Sequence, residues 1–94
     1  MFIIEDTIHC EYTMDSGYAS FELALTEIRN RVAIPWDEEP NLAPCTSWRT
    51  CGRNYVIREY DDSTSPSTFI RTTPVVEIDA KGVRWEPDFA DAQR

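Results

Sequence analysis

The hydrophobic pattern of this chain runs at period two, shifts to a helical period and returns to two, which restricts the fold more than any single residue does. Phe2, Ile4, Ile8, Cys10, Tyr12 and Met14 share one parity, and Ile3, Glu5, Thr7, His9, Glu11 and Thr13 share the other. Alternation with β-branched and aromatic residues is the pattern of a half-buried strand. Asp6 breaks it, because its parity sets a carboxylate among apolar side chains. A bulge, a hairpin break near Asp6-Thr7 or a strand edge would each accommodate it. One long strand over 2–14 with an irregularity at that point is the expected arrangement. Asp15-Ser16-Gly17 then supplies turn chemistry.

From Phe21 the spacing becomes helical. Phe21, Ala24, Leu25, Ile28 and Val32 form one stripe, with Leu23 on the far side. Ser20 is a suitable N-cap, and Glu22 lies where the helix dipole favours negative charge. Glu27 and Arg31 stand four apart in the favourable order. Pro35 ends the helix at or just before Ile34.

Residues 35–52 show no period and hold two of the three tryptophans. Alternation returns in Asn54–Tyr60, and 63–67 reads as a polar loop. Thr68 to Asp79 is β-rich, with Pro74 confined to an edge or bulge because it lacks a donor. Setting Asp79 opposite Gly82 pairs Ile78 with Val83, Glu77 with Arg84 and Val76 with Trp85, so like faces like and the charges oppose. A glycine bulge placing Asp79 opposite Val83 would instead set Ile78 against Arg84. The order β-α-long loop-β-β-β predicts an α+β fold, one helix packed on a small, mainly antiparallel sheet of about four strands. Residues 1–94 are expected to form a single domain, with 35–52 a long irregular loop and 87–94 a mobile tail.

Charge narrows the function classes. Seventeen acidic residues against nine basic ones leave a formal net charge of −8. Arginines are scattered rather than clustered, so direct nucleic-acid binding is disfavoured, as is adhesion to anionic membranes. The longest strictly apolar stretch, that around Phe2-Ile3-Ile4, is far below a membrane span. The N-terminus lacks the charge and apolar pattern of a secretory signal. A cytoplasmic location is expected, with Cys10, Cys45 and Cys51 reduced.

The 35–53 stretch is the leading candidate for function, since structureless connections longer than about 12–15 residues are uncommon unless they act. Trp36, Trp48, Arg49 and Arg53 are of the types that dominate binding hot spots and would form a partner-facing patch rimmed by Asp37-Glu38-Glu39. Alternatively the tryptophans fold back to complete a thin core. Cys45 and Cys51 are reactive or redox candidates, and a disulfide across a turn is sterically feasible. Their spacing is wider than that of zinc pairs, and His9 and Cys10 point to opposite faces of a strand. No metal or cofactor is therefore expected. No catalytic residue is nominated: His9 is the sole histidine, and no local motif supplies a nucleophile and base. Asp6 is either a functional acid or a carboxylate that reaches water or an arginine. Three glycines at unsuitable spacing build no phosphate loop, and 37–39 lacks the ligand alternation of a calcium loop.

These residues favour a small acidic, non-catalytic interaction module that binds another protein, a basic one by charge, through the 35–53 loop. Two alternatives remain. One is a small enzyme or ligand-binding protein with a site between that loop and the sheet, drawing on Cys51, Arg53, His9 or Asp6. The other is a metal or redox module built on Cys45 and Cys51.

Overall fold

Ser20 starts the helix. Its backbone is extended, and its Oγ accepts the Leu23 amide at 3.2 Å, satisfying one of the donors left over at a helix start. The computed structural model describes residues 1–8, 17–36, 38–39, 41 and 52–89, together with the backbone of 11 and 12. Helix α1 spans Phe21–Val32, with Glu22 in its first turn and Arg29 and Arg31 in its last, the distribution that complements the helix dipole. Ala24, Leu25 and Ile28 are buried. Leu23 is 54% exposed, as the helical spacing predicts. Glu27 and Arg31 pair at 2.9 Å.

Five strands form one antiparallel sheet: β1 Phe2–Asp6, β2 Glu11–Tyr12, β3 Arg53–Asp61, β4 Thr68–Asp79 and β5 Gly82–Trp85, in the spatial order β2-β1-β3-β4-β5. Four of these are the expected strands, and β2 adds two residues at one edge. The fold is α+β with one helix, in the element order read from the sequence. Segment 2–14, expected as one long strand, is instead two, since Glu5 pairs with Tyr12 and Asp6 with Glu11. The chain reverses just after Asp6, where a buried carboxylate leaves the strand pattern.

Register assigns the core. Ile4 lies opposite Ile57, Asp6 opposite Tyr55, Tyr55 opposite Val76, and Arg53 opposite Ile78, so these side chains share the face beneath α1. Ile4, Ala24, Leu25, Ile28, Tyr55, Ile57, Val75, Val76 and Ile78 form the buried cluster, with Phe2, Tyr18, Phe21, Val32, Trp36, Trp85 and Phe89 packed around it. The β4–β5 register is the expected one, from Asp79–Gly82 to Val76–Trp85. Gly82 takes φ 122° at that turn, a conformation that costs a residue with a Cβ far more. Pro74 lies at a bulge, where the register against β3 shifts between Tyr55 and Val56, and beyond the reach of β5.

The segment from 87, expected as a mobile tail, contributes to packing at its start. Residues 87–89 make one helical turn, in which the Phe89 amide donates to the Glu86 carbonyl at 2.8 Å. The Phe89 ring stacks on Phe21 with centroids 5.8 Å apart, because an aromatic so close to the sheet gains more from burial than from solvent. Residues 90–94 lie outside the described residues.

Replacing Ile28, which has no exposed surface, by Ala is expected to destabilise the fold by about 2–5 kcal/mol. Leu23→Ala on the outer face should stay within about 0.5 kcal/mol. Urea denaturation of the two variants beside the parent checks both, and equal losses would contradict this placement of the helix.

Candidate interaction site

Pro35 stops the helix, and two turns then carry the chain back beneath it. The Glu38 amide donates to the Pro35 carbonyl at 3.2 Å, and the Asn41 amide to the Glu38 carbonyl at 2.7 Å. Asn41 thereby reaches the interior, where it is 0% exposed. Its Nδ2 donates to the carbonyls of Arg31 and Ile34 at 2.7 Å each, with Pro35 at 3.3 Å. Arg31 is in the last turn of α1 and Ile34 and Pro35 follow it, so one side chain ties the helix end to the segment that leaves it. Its Oδ1 accepts the Tyr55 hydroxyl at 2.7 Å, and its own carbonyl accepts Arg53 Nε at 3.2 Å.

Arg53 continues the cluster. Its Nη1 donates to Asp6 Oδ2 at 3.0 Å, with the two side chains 8% and 2% exposed. Asp6 Oδ1 accepts the amides of Ile8 and Asn54, both at 3.0 Å. A buried charge pair persists only when its remaining lone pairs and protons are also satisfied, and this one is woven into three backbone segments. Burial pushes the Tyr55 hydroxyl above its ordinary pKa, while the neighbouring Arg31 and Arg53 charges pull the other way. Arg53, expected on a partner-facing patch, is 6% exposed and reaches inward to Asn41 and Asp6.

Above this cluster lies an apolar groove of about 250 Å³ between the end of α1 and the β4–β5 hairpin. Val32, Ile34, Trp36, Ile78 and Val83 supply most of its lining, with Asp79 at the hairpin turn. Val83 is 37% exposed. Gly52 lets the returning chain pass close: a Cβ there would clash with the Ile78 carbonyl oxygen and with Asp79 Cβ. Arg84 hydrogen-bonds Asp79 from across the hairpin and holds its carboxyl below the usual range. Glu38 and Glu39, on the loop that leaves Trp36, are exposed.

Of the residues nominated from sequence, Trp36 packs against the core and also lines the groove. Trp48, Arg49, Cys45 and Cys51 lie outside the described residues, as do His9 and Cys10. Among the described residues no group of three or more His, Cys, Asp or Glu side chains is arranged to hold a metal, and no helix is long and apolar enough to cross a membrane. Asn41, Ile34 and Val83 carry the site without having been nominated. Val83 was placed correctly on its strand, yet nothing local marks it as facing a groove. No protein-family model, curated protein or solved structure matches this chain.

Truncating one partner of the buried pair, as Asp6→Ala or Arg53→Ala, is expected to cost about 3–5 kcal/mol by stranding the other charge. The double variant should lose clearly less than the sum, a coupling that a double-mutant cycle in urea reads directly. Additive losses would mean that the pair is not energetically one unit.

The raised pKa of Tyr55 gives an alkaline signature. Its stabilising contribution is whole below the unfolded value near 10 and is lost as pH rises through the higher folded value, because only the unfolded chain releases its proton in that window. Stability measured from pH 9 upward should fall more steeply in the parent than in Tyr55→Phe. That variant should itself be about 1 kcal/mol less stable at neutral pH, since Asn41 Oδ1 loses its donor. Parallel curves above pH 10 would contradict this account.

Proposed function

We propose that this chain is a non-catalytic protein-interaction domain that takes an apolar side chain of a basic partner into the groove beside Trp36. The groove itself is the observation that carries the reading. Its volume of about 250 Å³ falls below the roughly 300–1,000 Å³ of most small-molecule sites and suits a side chain better than a metabolite. Burying one large aliphatic side chain there is worth about 1.5–3 kcal/mol, enough for an anchor within a wider contact.

Charge selects what surrounds the anchor. Glu38 and Glu39 are exposed on the adjoining loop, and the whole chain carries −8. A groove rimmed in this way favours an apolar residue with arginine or lysine beside it and speeds encounter with such a partner at low salt. Trp48 and Arg49 belong to the same contact on the strength of the sequence. Arg53 supports it from beneath.

A short peptide carrying one leucine between two arginines serves as the probe. Titrated into isotope-labelled protein, it should shift the methyl signals of Ile34 and Val83. Val83→Asp, and separately the pair Glu38→Lys and Glu39→Lys, should each weaken binding by about tenfold. The charge variants should also lose most of the salt dependence. Undisturbed groove methyls, or equal affinity in all variants, would remove this reading.

A further inference from the structure

The longest strand has a neighbour along only part of one side. β4 pairs with β3 from Thr68 to Ile78, but β5 reaches only Val76–Asp79. The next contact on that side is a single bond from the Glu86 amide to the Val75 carbonyl at 2.8 Å. Thr68–Pro74 therefore presents an outer edge with no strand against it among the described residues. The seven residues of this edge span about 23 Å. Residues 68–72 are all exposed, including Phe69 at 47% and Ile70 at 43%. Ile70 is the extra residue of a bulge, because Glu59 pairs with Arg71 and Tyr60 with Phe69.

We infer that this edge accepts an extended segment of a basic partner as an added strand, at a place separate from the Trp36 groove. Backbone donors and acceptors facing outward from a strand are satisfied by another strand as well as by water, and flanking apolar side chains add area to that exchange. Charge chooses the occupant. Asp61 and Asp62 lie exposed at one end of the edge, and Glu86 and Asp88 at the other. The only charged residue within the edge, Arg71, already faces Glu59 at 3.2 Å. A segment with apolar or β-branched residues in the middle and a cation at each end matches that pattern in either direction. A second copy of this chain matches it poorly, since it would bring another −8 against the same acidic ends. The bulge at Ile70 and Pro74 at the end of the edge also work against flat self-pairing.

The site sits on backbone, so its test is backbone protection. A nine-residue probe of alternating threonine and valine, closed by a lysine at each end, is added to the full chain and amide exchange is followed by NMR. Outward amides within 68–73 should slow by at least about tenfold, with no comparable change around Ile34 and Val83. A probe ending in glutamates should give no protection. Ile70→Lys sets a charge on the edge at an exposed position and should abolish the effect, while Asp62→Lys with Glu86→Lys should weaken it. Unchanged exchange of Ile28 and Ile57 in each variant shows that the fold is intact. Val83→Asp, which disables the groove, should leave the edge protected, so failure of one surface is distinguishable from failure of the other. The inference is overturned if millimolar probe leaves 68–73 unprotected, or if protection survives Ile70→Lys. It is equally overturned if the segment becomes protected without peptide as protein concentration rises, which makes a second copy the occupant.

Discussion

Asn41 ties together, by polar contacts, parts of the chain that the sheet and the core bring side by side. Its amide closes the end of α1, its side-chain oxygen receives Tyr55 from β3, and its carbonyl receives Arg53, which in turn holds Asp6 at the end of β1. Each of these groups would be costly to bury alone, and each is affordable only because the others are in place. The groove depends on the same arrangement. Ile34 offers its carbonyl to Asn41 and is also part of the groove lining, so the position of that wall is set from below by a polar contact. The hairpin wall is held by Gly52, whose lack of a side chain lets the start of β3 pass against Ile78 and Asp79.

Local chemistry was readable where one residue type decides it. Ser20, Pro35, Leu23 and the Glu27–Arg31 pair behave as their spacing predicts, since caps, stops and helix faces are settled within four residues. The β4–β5 register was equally accessible, because only one alignment puts Glu77 beside Arg84 and keeps Ile78 on Val83. The reversal after Asp6 was not, because parity continues unbroken through Ile8, Cys10 and Tyr12 whether or not the chain turns. Asp6 did mark the spot. Its partner, 47 residues away, could not be chosen from sequence among eight arginines. Asn41 left still less trace, being one polar residue in an aperiodic stretch, and its role exists only once the chain has doubled back under the helix.

The helix covers one face of the sheet, and among the described residues the other is lined by the sheet's own side chains. There Arg58 lies over the Phe69 ring at 4.9 Å and the Tyr60 ring at 5.7 Å, with Glu5 at 3.4 Å. Its long stem and planar head cover aromatic surface that would otherwise meet water, a task for which lysine is less suited. Val56, on the same face by register, is only 2% exposed although among the described residues no helix covers it.

Five of the described arginines are committed within the fold: Arg31 to Glu27, Arg53 to Asp6, Arg58 to Glu5, Arg71 to Glu59, and Arg84 to Glu77 and Asp79. Positive charge is thus largely consumed in joining one element to another. Among the described residues, no ion pair engages Glu38, Glu39, Asp61, Asp62, Glu86 or Asp88, all of them exposed. The net negative charge is therefore not spread evenly. Among the described residues these acids lie on the loop after Trp36 and at the two ends of the β4 edge, with Glu22 a further one at the start of α1. Lys81 and the N-terminal ammonium set cations near the groove hairpin and near Asp61. An acidic field at such places repels other copies of the chain and attracts cations. On the proposed reading, the arginines that the fold uses up decide where a cationic partner would meet unopposed acid.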